Sequence, residues 1–281
     1  MKKILLFFLA VLAFTSCSDD VTMDVVVDDC VPCQVSVDLA PETRAAAESL
    51  DSLLGSSYEL RYVLEIYEGT TRRGGQQVAY SSDLSVVFAV KLPPTRTYHF
   101  VVWADIVERT DANPTPESTY YNTDPLTRVS FKDWANSDLR DAFAGVVEVR
   151  EYSSSSSINL KLKRPFAKLR IVDTGGIQTA DAKTMTVQLA PTFPNTFNVL
   201  SGTATSVNSL QSYPVGLGNL DHNVSGKQTL FTDFIFAGDT DTSINISVDF
   251  YDSGKNAIGT TKTFTVDVAC NKLTTIEGNI I

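Results

Sequence analysis

The sequence predicts an all-β protein arranged as β-sandwiches, and three observations carry that prediction. Short runs in which apolar and polar residues alternate recur from Gln34 to the end of the chain, and period-two alternation marks half-buried strands. Gly, Pro, Asn, Asp and Ser separate the runs, as turn chemistry requires. Almost nothing invites helix, and many short strands without helices favour sandwiches. With 43% hydrophobic residues, the chain can fill packed cores and is not a disordered stalk.

The elements follow in order. Lys2 and Lys3 precede an unbroken apolar run from Ile4 to Phe14, and Thr15, Ser16 and Cys17 come next. A basic start, a short apolar run and small residues describe a secretory signal over residues 1–16. The run is too short to span a bilayer, which takes about 20 apolar residues. Cys17 resembles the lipobox cysteine of bacterial lipoproteins, which is acylated and becomes the new N-terminus; the other reading is a secreted chain with an incidental cysteine there. Ser18-Asp19-Asp20 resembles the acidic tag that sends lipoproteins to the outer face of the outer membrane.

Residues 17–33 are acidic and read as a tether. Val35, Val37 and Leu39 then alternate with Gln34, Ser36 and Asp38, the first strand. Further strands are expected at 58–66, 84–90, 98–107, 146–152, 158–163, 167–172, 185–189, 229–236, 244–251, 261–270 and 273–280. Asn136 or Ser137 could cap a short helical turn over 138–143, and the Ala-rich stretch 44–54 is the second helix candidate. The serine run 153–157 reads as a hairpin loop, and Arg72-Arg73-Gly74-Gly75 as a hairpin tip. Pro165 cannot donate to a strand ladder, so Arg164-Pro165 is the expected boundary between an N-terminal sandwich over 34–164 and a C-terminal one over 165–281.

The formal net charge is −10, and becomes −12 once Lys2 and Lys3 leave with the signal. So acidic a chain is a poor partner for nucleic acid or an anionic membrane surface. Membrane attachment would rest on lipid at Cys17.

Candidate chemical sites are few. Cys30-Val31-Pro32-Cys33 is a C-x-x-C, but it opens a strand, whereas the redox motif opens a helix. A local disulfide and two unpaired thiols both remain open for it. A zinc site needs about four ligands, and Cys270, His99 and His222 are scattered. Cys270, in line with Phe264, Val266 and Val268, reads as a buried core thiol. Asp239 and Asp241 read as a solvated turn. Lys161, Lys163, Arg164, Lys168 and Arg170 alternate with apolar residues and read as solvent-facing strand positions. No nucleophile elbow, metalloprotease helix or phosphate loop occurs. The expectation is a non-enzyme without cofactor or metal.

Several phrases, taken in order, carry a family resemblance: Leu60-Arg61-Tyr62-Val63-Leu64-Glu65-Ile66-Tyr67, Phe100-Val101-Val102-Trp103-Ala104-Asp105 and Asp141-Ala142-Phe143-Ala144-Gly145. Leu162-Lys163-Arg164-Pro165-Phe166-Ala167-Lys168-Leu169-Arg170-Ile171 and Asn271-Lys272-Leu273-Thr274-Thr275-Ile276-Glu277-Gly278-Asn279 complete the set. Behind a lipoprotein signal they resemble the fimbrillin (type V pilin-like) surface lipoproteins. The resemblance implies two tandem transthyretin-like Greek-key β-sandwiches and a lipid anchor, palmitate included, at a surface-exposed outer-membrane location. It also implies a role in cell adhesion and fimbriae, with other fimbrillin subunits as strand-exchange partners and host or bacterial surface ligands. It further implies maturation by an arginine-specific protease that removes the first strand. Arg44, after Pro41-Glu42-Thr43 and before Ala45-Ala46-Ala47, is the matching position. Because the chain stops at Ile281, directly after a strand expected in its own sheet, it is expected to be a tip or accessory subunit. The alternative is a monomeric glycan-binding lipoprotein, which needs a platform of exposed rings. Trp103, Trp134, Tyr120 and Tyr121 are its candidates, with Trp103 better placed for a core.

Overall fold

A computed structural model describes residues 30–40, 54, 57–132, 137–174, 182–190, 192–208, 211–217, 227–237 and 242–280. The chain is all-β. The first ten strands are β1 (Val31–Leu39), β2 (Tyr58–Glu68), β3 (Thr71–Arg72), β4 (Gln77–Ser81), β5 (Ser85–Leu92), β6 (Tyr98–Glu108), β7 (Tyr121–Asn122), β8 (Val129–Phe131), β9 (Ala142–Val149) and β10 (Ile158–Leu162). The rest are β11 (Phe166–Asp173), β12 (Thr184–Ala190), β13 (Thr192–Asn198), β14 (Thr203–Asn208), β15 (Gln211–Gly216), β16 (Gln228–Phe236), β17 (Thr242–Tyr251), β18 (Ala257–Val268) and β19 (Lys272–Gly278).

One strand arrangement occurs twice. In the first, β1 is the middle of a three-stranded sheet ordered β10-β1-β5, and it faces a sheet in which β4, β2, β6 and β9 are neighbours. In the second, β11 is the middle of β16-β11-β19, opposite a sheet ordered β15-β12-β17-β18. Each middle strand runs antiparallel to one neighbour and parallel to the last strand of its set. This is the Greek-key sandwich order expected from the resemblance. Alternation places the cores: Val35, Val37, Leu39, Leu60, Tyr62, Leu64, Phe100 and Val102 fill the first. Leu169, Ile171, Met185, Val187, Ile235, Ile246 and Val248 fill the second. Lys272–Gly278 pairs with β11, so the last strand does lie in the sheet of its own half.

The sequence reading missed β3, β4, β7, β8 and the run β13 to β15. Two of these missed segments join the halves. The insertion between β6 and β9 contributes β7 and β8, and that between β12 and β15 contributes β13 and β14; they merge into one sheet ordered β14-β13-β8-β7. Ser130 and Val129 pair with Thr196 and Phe197. Beneath lies a third apolar cluster drawn from both halves: Val63, Val101, Trp103, Tyr121, Leu126, Phe166, Phe197, Phe234 and Phe236. Its rings meet edge-on and stacked, with Trp103 and Tyr121 centroids 5.0 Å apart and Phe166 and Phe236 4.9 Å apart. Aromatic pairs at such spacing add to area burial.

Several local expectations need correction. The serine run links β9 to β10, which lie in different sheets, so it is a crossover and not a hairpin. The tip after β2 falls at Gly69, where φ is +60°, and Arg72 lies within β3. The turn near Asp138 is a single 3-10 turn, Asp138–Arg140, because strand β9 already begins at Ala142. Arg164 is buried, since β10 ends at Leu162 and the side chain turns inward to Asp141. The crossover corner is tight. Ala144 and Lys163 exchange backbone hydrogen bonds of 2.8 and 3.0 Å. A Cβ on Gly145 would sit 2.8 Å from Leu160 Cδ2 and 2.9 Å from the Lys161 carbonyl. Gly145→Ala should therefore cost about 1–3 kcal/mol, typical of overpacking, read by denaturant unfolding; an unchanged midpoint would show that the corner can give.

Candidate functional site

Strand β1 is the element around which a functional site can be built. Its inward residues Val35, Val37 and Leu39 are at most 1% exposed. It pairs over Val31–Asp38 with β5 and over Val35–Leu39 with β10. Its outward residues, Pro32, Gln34, Ser36 and Asp38, are polar or exposed, and Lys161 reaches Asp38 at 2.7 Å. At its start the Tyr152 hydroxyl donates to the Val31 carbonyl at 3.0 Å, and the Cys33 thiol donates to the Ser156 carbonyl at 2.8 Å. At its end Ala40 N–H donates to the Leu162 carbonyl at 2.9 Å. Without β1, β5 and β10 would flank an apolar slot with unpaired backbone groups on both walls, the form of receptor that β-augmentation fills.

Cys33 is not in a disulfide, so the local Cys30–Cys33 bridge does not form. Its thiol faces inward with Val35 and Val37, and burial raises its pKa. A protonated, buried thiol packs well and attacks poorly. Cys270 is half-buried at the rim of the second core, not fully inside it, because it lies past the end of β18.

The buried charges tie segments together. Glu65, fully buried, accepts from the Tyr67 hydroxyl, Arg72 Nη1 at 2.7 Å, Gln76 Nε2 at 2.8 Å and Leu126 N–H at 2.9 Å. Burial, with the Glu65 carboxylate beside it, pushes the Tyr67 phenol up to about 12. Arg61 Nε meets Asp105 at 3.0 Å, and Arg164 grips Asp141 with two bonds of 2.7 and 2.5 Å. Burial raises the pKa of both aspartates, against the pull of their arginines. Arg140, fully buried, pairs with Asp233 of the other half and stacks over the Phe131 ring at 4.5 Å. Burial pushes Asp233 up to about 7, with Arg140 and the Phe234 N–H pulling down. Each of these four carboxylates faces a guanidinium, an arrangement that fixes segments, whereas a fifth buried carboxylate, Asp173, accepts from the Ile280 N–H at 2.8 Å. Sequence reasoning missed Glu65, Arg140 and Asp233. The available signal lay in β6, where Val101, Trp103 and Val107 share the outer face with Asp105, so a layer had to cover that side; in β2 the same face reads Glu59, Arg61, Val63 and Glu65 and gives no such sign.

The proposed ring platform does not assemble. Trp103 and Tyr121 are buried in the cluster between the halves, and Tyr120 packs half-buried against it. His99 lies in β6 with Nε2 3.2 Å from Glu148. Cys17, Arg44, Trp134, His222, Asp239 and Asp241, with all of 44–54 except Leu54, lie outside the described residues. Among the described residues no group of three or more His, Cys, Asp or Glu is placed to hold a metal ion, and no helix is long and apolar enough to cross a membrane.

The structure thus defines an all-β protein in which two sheets face each other in each half, with β1 in the middle of one of them. The chain belongs to a family of unknown function, DUF6562, whose model matches residues 24–281. No curated protein matches it. Among solved structures it is similar to a fimbrial assembly protein from Parabacteroides distasonis, at 10% identity and TM-score 0.49, covering 89% of this chain and 92% of that one. It is also similar to the fimbrial anchor protein Mfa2 from Porphyromonas gingivalis, at 12% identity and TM-score 0.46, covering 84% and 82%.

Proposed function

We propose that this chain is a fimbrillin-like outer-membrane lipoprotein, a structural, tip or accessory subunit of surface fimbriae with a role in adhesion. The observation that carries the reading is β1: a middle strand, buried on its inner face and clasped by β5 and β10, a few residues before Arg44. In this reading Cys17 holds the acyl chains, and residues 34–164 and 165–281 form two sandwich domains. A protease cuts after Arg44, the lipidated segment leaves with β1, and a strand of another subunit takes its place. The glycan-binding alternative loses support, since two of its four rings are buried.

Digestion with an arginine-specific protease tests the step. The expected first cut is after Arg44. Arg72 is a poor competitor because β3 and the Glu65 and Asp124 carboxylates hold it, at 2.7 and 2.5 Å. First cleavage at Arg72 or Arg73, with Arg44 intact, would contradict the proposal. Separately, Cys17→Ala should leave uncleaved precursor that takes up no labelled fatty acid; unchanged labelling would remove the anchor from the account. Protease shaving of intact cells, before and after replacing Asp19 and Asp20 with alanine, tests surface display.

A further inference from the structure

The slot that β1 fills is apolar along most of its inner face and polar at one end. Val35, Val37 and Leu39 turn into the first core with Leu60, Leu64 and Val102. Cys33, the first buried residue of the strand, meets a different wall. Its thiol donates to the Ser156 carbonyl at 2.8 Å, and two residues earlier the Val31 carbonyl accepts from the Tyr152 hydroxyl at 3.0 Å. The neighbouring core tyrosines turn their hydroxyls elsewhere, Tyr98 to the Pro93 carbonyl at 3.1 Å and Tyr62 to the Asp83 carbonyl at 3.4 Å. Neither polar group depends on β1 for its place. Tyr152 N–H donates to the Arg96 carbonyl at 2.9 Å, the Tyr152 carbonyl accepts from Thr95 N–H at 2.8 Å, and its ring meets Tyr98 edge-on at 5.5 Å. Ser156 N–H donates to the Ser153 carbonyl at 3.0 Å, and Ser156 Oγ accepts from Ser153 N–H at 3.0 Å. The serine run between β9 and β10 thus closes on itself as a turn that holds the Ser156 carbonyl.

A strand leaving this slot uncovers one donor, the Tyr152 hydroxyl, and one acceptor, the Ser156 carbonyl. Every strand carries a backbone carbonyl, so the donor is satisfied whatever the incoming sequence. The acceptor needs a side-chain donor two residues further on. An acceptor covered by a strand but left unpaired costs more than a slightly larger apolar contact returns. We propose, resting on the replacement of β1 proposed above, that the Tyr152 hydroxyl and the Ser156 carbonyl form a register pocket. It selects an incoming strand whose buried face opens with a small hydrogen-bond donor (Cys, Ser or Thr) and continues with apolar side chains two, four and six residues on. A slip of one residue would turn that apolar face to water. A slip of two would set an apolar side chain on the Ser156 carbonyl, or carry the donor to the place of Val35, which is 0% exposed. The partner is therefore a strand with a thiol or hydroxyl at one fixed place in an alternating apolar run, and hydrophobicity alone does not qualify a strand.

The test uses the full chain with a sequence-specific protease site in place of residues 42–47, nicked there with both pieces retained. A fluorescent peptide spanning Val31–Leu39 exchanges into the nicked chain, uptake is read by anisotropy, and unlabelled peptides compete with it. A Cys33→Ser peptide should compete within about threefold of the native sequence, because the hydroxyl still reaches the Ser156 carbonyl. A Cys33→Val peptide, close in volume and more apolar, should compete roughly tenfold worse. A peptide with Cys33→Val and Val35→Ser has the composition of the serine peptide with its hydroxyl moved one inward place along; it should compete roughly a hundredfold worse. The labelled native peptide, once seated, should leave a nicked Tyr152→Phe chain roughly tenfold faster, since the Val31 carbonyl loses its donor. Equal competition by the Cys33→Ser and Cys33→Val peptides, or by the two serine-containing peptides, overturns the pocket and leaves strand replacement standing. Unchanged release from the Tyr152→Phe chain overturns it as well. A nicked chain that takes up no native peptide rejects strand replacement itself, and the pocket falls with it.

Discussion

Stripping residues 1–44 away after a cut at Arg44 should leave the first sandwich unable to hold its fold alone. Val35, Val37 and Leu39 are each at most 1% exposed, and full burial of such side chains is worth about 1.5–3 kcal/mol apiece. The ladders to β5 and β10 are lost with them. The sum is comparable with the ~5–15 kcal/mol that holds a whole domain together. The nick alone should change little, because the cut strand stays seated. The loss should appear only when the fragment is separated, as a missing first transition in thermal unfolding followed by circular dichroism. A separated protein that melts like the intact one would show that β1 is dispensable.

Arg140→Ala should destabilise the protein by about 3–5 kcal/mol, the cost of leaving a buried partner charge alone. Arg140 is fully buried against Asp233, which is 1% exposed and lies in the other half of the chain. The alanine also removes the guanidinium from the Phe131 ring. The double substitution Arg140→Met with Asp233→Leu should recover most of that loss, since an apolar pair of similar volume needs no desolvated charge. Urea unfolding of the single and double variants separates the outcomes. A double variant as unstable as the single one would mean that the pair sits in a wider network than its own contact.

The architecture was legible where one physical signal dominated. β1, β5 and β10 alternate cleanly because one face meets the core and the other meets water. β2 and β6 were found as strands too, but their burial on both faces implied an outer layer that alternation could not locate. That layer comes from β7, β8, β13 and β14, which are short or rich in Thr, Ser and Asn. They are held by pairing across the two halves, and sequence spacing carries no trace of it. The buried ion pairs escaped for the same reason: Arg140 and Asp233 are 93 residues apart. Arg164 looked like the next exposed cation after Lys161 and Lys163 because nothing in the spacing shows that β10 stops at Leu162. Of the site, β1 was visible from its alternating valines, whereas its central place in the sheet depends on a parallel pairing with β10, more than a hundred residues away.

The claim that β1 is a replaceable strand is tested most directly by offering it back. The protein cut after Arg44 and freed of residues 1–44 would be mixed with a fluorescent peptide spanning Val31–Leu39, and uptake read by anisotropy alongside the melting temperature. The account predicts saturable one-to-one binding with recovery of the lost transition, and no binding by a peptide carrying Val35→Asp and Val37→Asp. Equal uptake of both peptides, or a cut protein that stays folded and takes up neither, would contradict it.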